Sequence, residues 1–454
     1  MRRESAPAAA RLGPPSEGPA EDYPHSPVAR ERENTPLSPR TVFRPYTALF
    51  AVPGSRSFSA AGWVGRLPAP MLGLGTVLLV EAETGSYGLA GAVSGTLALS
   101  YGVAGPQWAR AMDRRGQGPV LRRAMTAFAV TGIAFVASVV AGGPRWSWFL
   151  LAVAAGASGP NIGALVRARW SAVLDPATRQ TAYAFEAVAD EVVFVIGPPL
   201  VTVLATLIAP PVGFLTGVVF GVVGGLWLAG QRATEPPVHS LDATAPARWW
   251  SVLTPTLLVV VVTYLAVGTV FGAIDVVVVA FAEAEGAPAL SGAVLAVFSG
   301  GSLVAGLVYG LARLPGTLAA RFVVTAVAFG LAAQPLWGVG SLPVLIGCGF
   351  LAGLTIAPVL VSGTSLVESR VAPRVLTESL AWTITGLTLG VTAGSALAGA
   401  AVDRWGAQDA FAVPALAAAL TAVVGLAGAV LLRAPADALV PHDGKARVDR
   451  PSAG

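Results

Sequence analysis

An all-α membrane protein, twelve transmembrane helices arranged as two six-helix bundles, is the fold class this sequence predicts. Three observations carry it. The chain of 454 residues is 54% hydrophobic and only 12% charged, with a mean hydropathy of +0.68. Apolar runs of about 20 residues, the length that crosses a bilayer as a helix, recur from about residue 57 to about residue 433. Arginines gather in alternate connections between those runs, as the positive-inside rule requires of a polytopic protein.

Taken in order, residues 1–55 open the chain with "ESAPAAARLGPPSEGPAEDYPHSP", rich in Pro, Ala, Ser and charge. Such a segment cannot offset its ordering entropy and reads as a disordered cytoplasmic tail. It lacks the short apolar core and cleavage site of a signal peptide. The first bundle occupies 56–230, with spans at about 57–80, 87–108, 120–141, 147–168, 181–208 and 212–230. "IAPP" (208–211) is the turn that parts the fifth span from the sixth. A polar linker comes next, at 231–250. The second bundle occupies 251–433, with spans at about 251–280, 289–312, 317–337, 342–366, 376–401 and 409–432. A polar tail at 434–454 closes the chain. Several tryptophans, Trp146, Trp148, Trp170 and Trp227 among them, fall near predicted helix ends, where an aromatic belt places them.

The charge pattern sets an orientation. Arg110, Arg114, Arg115, Arg122 and Arg123, then Arg167, Arg169 and Arg179, then Arg232, Arg248, Arg313, Arg321, Arg370 and Arg374 all fall on one side; the other side holds Arg145 and Arg404. Two of the opposite connections are acidic, "EAETGSY" (81–87) and "AEAEG" (282–286). The basic side and both tails are therefore expected in the cytoplasm. The net charge of +4 is explained by this asymmetry, and a nucleic-acid partner is not implied.

The halves repeat. "VAGPQWARAMDRRG" (103–116) aligns with "VAGLVYGLARLPG" (304–316), and "GPNIGALVRARWSAVLDPATRQTAYAFE" (159–186) with "APVLVSGTSLVESRVAPRVLTESLAW" (357–382). A duplicated six-helix unit with a site at the interface is the plan of a transporter that alternates access around a midplane cavity. On these features the chain resembles the major facilitator superfamily. The connection after the second span is similar to the family signature Gly-x-Leu-Ala-Asp-Arg-x-Gly-Arg-Arg. Asp113, Arg114 and Gly116 match it, whereas Ala109, Gln117 and Gly118 depart from it. The resemblance implies a cytoplasmic gate. Gly116 permits a tight reversal, and Asp113 can accept from a helix N-terminus of the other bundle or pair with a loop arginine. Arg122 and Arg123 read as topology anchors.

Ionisable residues inside spans are costly and point to function. On the fifth span Glu186 and Asp190 are four apart and share a face, while Glu191 lies about 100° away. Glu186 is close enough to the cytoplasmic end to be hydrated; Asp190 and Glu191 lie deeper, and either is a candidate proton carrier. "GPP" (Gly197, Pro198, Pro199) interrupts the helix ladder. It resembles the Gly-Pro core of the antiporter motif of drug-efflux members, although Val193 and Val201 stand where that motif has glycine; it is a hinge or a packing kink. Arg66, between "GWVG" and "LPAP", either faces the cavity with a fifth-span carboxylate as partner or sits at the cytoplasmic interface. Asp275 is a lone charge in "FGAIDVVVVAFAE" on the seventh span, facing the cavity or reaching toward the extracellular interface. Glu378, in the first turn of the eleventh span, complements the helix dipole.

No phosphate-binding Gly-x-x-x-x-Gly-Lys-Ser/Thr loop or Gly-x-Ser-x-Gly elbow occurs. The single cysteine, Cys348, and the histidines His25, His239 and His442 form no metal constellation. Neither an enzyme, a cofactor nor a metal is expected. The expected partners are a small-molecule substrate, a proton or other coupling ion, and the bilayer, with the chain acting as a monomer. Proton-coupled efflux of a small organic compound is the leading reading. A facilitator or importer of a small polar solute such as a sugar, and a non-transporting receptor, are the alternatives. Twenty-eight arginines against one lysine suggest a GC-rich bacterial genome, hence a bacterial plasma membrane.

Overall fold

A computed structural model of the chain describes residues 49–238, 254–311, 315–371 and 376–432. The readings of the N-terminal tail up to residue 48, of the linker beyond 238, of Arg313 and Arg374, and of the C-terminal tail lie outside the described residues, as does the side chain of Glu378. Among the described residues the fold is all-helical, with no strand.

Proline and glycine set where the helices of the first half begin and end. The first span is two helices, α1 (Ser55–Arg66) and α2 (Pro68–Thr84). Pro68 has no N–H to continue the ladder of α1, so the chain restarts there with proline in the first turn, where the missing donor costs nothing. Then come α3 (Tyr87–Arg115) and α4 (Gln117–Val140). Gly116 joins them at φ 82, a conformation that glycine adopts without the Cβ clash other residues suffer. The fourth span is again broken, into α5 (Arg145–Ser158) and α6 (Ile162–Val173). Pro160 stops the first piece, and the Asn161 side chain caps the second by accepting from Ala164 N at 3.0 Å. The fifth and sixth spans are α7 (Pro176–Leu207) and α8 (Pro210–Gly230), parted at 208–209 as expected.

The second half repeats this plan. Its helices are α9 (Pro255–Ala284), α10 (Ser291–Leu311), α11 (Leu318–Ala332), α12 (Leu342–Gly353), α13 (Ile356–Arg370), α14 (Leu376–Trp405) and α15 (Ala412–Leu431). Thr254 and Thr317 cap α9 and α11 through their side chains. The tenth span, α12 and α13, is interrupted at 354–355, so the fourth span of each half is interrupted. Eleven stretches among the described residues are long and apolar enough to cross a membrane. The remaining span, α3, has 29 residues, but Gly88, Gly91, Ser94, Gly95, Thr96, Ser100 and Gly102 dilute its apolar surface. A helix packed between other helices rather than against lipid needs small residues instead.

The halves meet along two helix pairs, α3 with α14 and α7 with α10, while α9 packs on α14 inside the second half. Close approach explains the glycines of α3: a Cβ on Gly91 would stand 2.1 Å from the carbonyl oxygen of Ser395. Thr392 on α14 donates its hydroxyl to the carbonyl of Gly95 at 3.1 Å. The basic connections define one face of the assembly and the acidic connections the other, and the two are called the basic and acidic faces below.

Candidate functional site

A cavity of about 590 Å³ lies between the halves. Its walls are built where helices break. Arg66 ends α1 and Pro68 begins α2; Gly159, Pro160 and Asn161 form the gap between α5 and α6; all line the cavity, as does Ile356 at the start of α13. Interrupted helices leave backbone donors and acceptors unpaired, and a membrane tolerates that only where they face a cavity or protein.

One wall carries a charged chain of contacts linking three spans of the first half. Arg66 pairs with Glu186 and, through Nη1, with Asp190 Oδ1 at 3.1 Å. Arg167, on α6, pairs with the other oxygen of Asp190. Trp170 Nε1 donates to the remaining oxygen of Glu186 at 2.7 Å. Glu186 and Asp190 do share a face of α7, and Arg66 does find its partners there. One expectation is corrected: Glu186 is not hydrated from the end of the helix but is 1% exposed, because Arg66 and Trp170 close over it. Arg66 is itself buried, and its Nε has no partner. It lies beside Gly163, where a Cβ would stand 3.3 Å away.

Glu191, one residue on, faces the seam. Ser302 on α10, in the other half, donates its hydroxyl to Glu191 Oε1 at 3.4 Å. Asp275, on α9, lines the same cavity from the second half and has no hydrogen-bond or ion-pair partner among the described residues. The reading that extends it toward the extracellular interface is thereby corrected. Aromatic rings complete the lining, including Tyr101, Phe194, Phe271 and Phe298. The tripeptide Gly197, Pro198 and Pro199 does not break α7, which runs through it. It is closely packed: a Cβ on Gly197 would meet Pro70 at 2.5 Å, and Gly292 of the other half rests against the backbone of Pro198 and Pro199.

At the basic face, Asp113 and Arg114 are exposed and make no hydrogen bond or ion pair among the described residues. The start of α4, just beyond Gly116, is tied to α6, the end of α8 and the segment that follows it. Gly118 N donates to Glu235 Oε1 at 2.9 Å, placing a carboxylate at the N-terminus of α4, where the helix dipole favours it. Arg169, fully buried, donates to the Gln117 side chain (2.9 Å), the carbonyls of Gln231 (2.8 Å) and Leu228 (3.0 Å), and Thr234 Oγ1 (3.0 Å). At the acidic face polar contacts instead run between halves. Asp403 accepts from Ser86, Tyr87 and Gly88, and the Tyr87 hydroxyl bonds Glu283.

Sequence reasoning found Arg66, Glu186, Asp190, Glu191 and Asp275, and counted Arg167 and Arg169 only as topology charges. The structure assigns one to the cavity wall and buries the other. Asn161 after Gly-Pro was a readable sign of a helix restarting. No local signal pointed to Ser302 or Asp403, whose partners lie 111 and more than 300 residues away.

The family model described as Major Facilitator Superfamily matches residues 58–313, more than half of the 454-residue chain. No curated protein is significantly similar in sequence. Among solved structures, the human organic anion transporter MFSD10 (TETRAN) is similar, with 17% identity and a TM-score of 0.58 over 84% of this chain and 100% of that one. The nucleoside transporter NupG gives 14% identity and a TM-score of 0.62 over 84% and 99%. The POT family transporter PepTSo gives 11% and 0.62 over 83% and 96%. At these identities the likeness is one of fold.

Proposed function

The chain belongs to the Major Facilitator Superfamily, so it is a multi-pass membrane transporter and not an enzyme, and from that premise we propose that it exports a small organic compound in exchange for protons. The basic face is cytoplasmic in this reading, by the positive-inside rule, and the membrane is a bacterial plasma membrane in which the protein works as a monomer.

The observation that carries the proposal is the division of labour between adjacent carboxylates on α7. Asp190 is held by two guanidinium groups. Glu191 has no ion-pair partner among the described residues, and its one hydrogen bond comes from Ser302 across the seam. A proton arriving at or leaving Glu191 changes the charge at the moving interface itself. Of the two carriers the sequence left open, Glu191 is therefore favoured, with Asp275 the matching carboxylate on the opposite wall. Arg66, Arg167, Glu186, Asp190 and Trp170 form the fixed part: they hold the broken first and fourth spans against the fifth. The aromatic lining suits a compound with an apolar body.

The test is transport in liposomes loaded with a pH-sensitive dye, over a panel of drugs, sugars and organic acids. A compound-dependent pH change is expected for the native protein, abolished in Glu191→Gln. Retention of the pH change in Glu191→Gln overturns the carrier assignment. Compound movement with no pH change in the native protein overturns proton coupling and leaves a facilitator.

A further inference from the structure

The acidic ends of the two halves are joined by a helix cap supplied from the other half. The first backbone N–H groups of a helix have no acceptor within it. At the start of α3 the local cap, Ser86, takes only Leu89 N, at 3.2 Å. The N–H groups of Tyr87 and Gly88 go instead to the two oxygens of Asp403, in the last turn of α14, at 2.8 and 2.9 Å. Ser86 Oγ adds a third bond to the same carboxylate at 2.8 Å. A carboxylate here meets both free donors and the positive end of the helix dipole. The fit depends on Gly88, since a Cβ there would stand 2.7 Å from Asp403 Oδ2. One turn earlier on α14, Gly399 lets the backbone close in: its Cβ would lie 2.1 Å from the carbonyl oxygen of Tyr87. The Tyr87 hydroxyl bonds Glu283 at the end of α9, fastening a second helix of the other half to the same turn.

We infer that Asp403 is the clasp of the acidic-face gate: its three bonds to the start of α3 hold that face shut, and they must break for the cavity to open there. The inference rests on the reading of the cavity as the transport path. Strength suits the task. Asp403 is exposed, so water replaces each bond as it breaks, and an N-terminal cap of this kind shifts a two-state population by roughly tenfold. A gate that cycles needs a fastening of that size; a buried ion pair would lock it.

Electron–electron spin distances in lipid nanodiscs test the clasp on the full chain. Cys348 is replaced by serine, and label pairs are placed at Glu83 and Asp409 on the acidic face and at Gln107 and Glu368 on the basic face. Asp403→Ala removes the acceptor, and Gly88→Ala pushes it away from the other side. Each is expected to move the acidic pair toward longer distances by several-fold in population while the basic pair shortens. Unchanged distances in both variants overturn the clasp. Broadening of both pairs without opposite shifts overturns it as well, because it reports loosening rather than a gate. Transport separates this result from the reading it rests on. Opposite shifts in variants of a protein that moves no proton leave the clasp standing and remove proton exchange. Unchanged distances with intact transport do the reverse.

Discussion

The two ends of the seam use polar side chains in opposite ways. At the acidic end they cross it: Asp403 and Glu283 of the second half bind the first turn of α3. At the basic end the most deeply anchored of them do not reach the second half: Arg169 and Glu235 bind the start of α4, the end of α8 and the start of the linker after it. The hydrogen bonds that join the halves at Glu191, Gly95 and the start of α3 run from the cavity toward the acidic end. A machine that rocks needs both patterns. One end of each half must be a rigid body, and the contacts that change must run between bodies rather than within them.

The strongest way to break this comparison is Arg169→Ala. Arg169 makes four hydrogen bonds with no exposure to water. Its loss strands the carbonyl of Gln231 and the Gln117 side-chain oxygen, at a cost of about 3 kcal/mol or more. A large drop in melting temperature is expected in detergent, with the acidic-face spin distances unaltered in the folded fraction. A shift in those distances would show that the two ends are not independent.

Next in size is a pair of valines. Gly91→Val drives a side chain into the backbone of α14, 2.1 Å away at Cβ, and overpacking of this kind costs about 1–3 kcal/mol. Gly105, farther along α3 toward the basic end, has nothing within 4 Å of a Cβ. Gly105→Val is expected to leave the melting temperature almost unchanged. Equal destabilisation by both would mean that α3 is packed as tightly at its basic end as at its acidic end, and the contrast between the ends would be lost.

The fold was legible because membrane spans are written in composition. Run length, arginine alternation and the repeat of about 200 residues identified the helices, whereas the breaks inside the first and fourth spans, at Pro68 and at Pro160–Asn161, were read as continuous helix. The charged wall was half legible. The four-residue spacing of Glu186 and Asp190 put them on one face, and a buried Arg66 needed an anion. Burial itself was misjudged at Glu186, since Trp170 reaches it from another span and no periodicity shows that. Asp275 was singled out for its isolation in an apolar run, and it lines the cavity. The clasp was illegible: Asp403 lies in an ordinary polar stretch, "VDRWGAQD", and acquires meaning only when α14 lies beside α3. The signature loop was legible as a motif but not as a contact, since Asp113 and Arg114 make none among the described residues.

That last point carries the smallest predicted effect on stability. Asp113 is exposed and unpartnered among the described residues, so Asp113→Asn is expected to change stability hardly at all, within about 0.5 kcal/mol. If the loop is the basic-face gate that the signature implies, Asp113 meets the second half only when that face closes, where a carboxylate can cap a helix N-terminus as Asp403 does at the opposite face. Asp113→Asn is therefore expected to slow transport severalfold while leaving the melt and the acidic-face distances of the resting protein unchanged. If transport also stays at the native rate, the loop is a topology anchor and the basic face closes by other contacts. If the melt falls instead, Asp113 is already bound in the resting protein, and the two ends of the seam are more alike than the comparison allows.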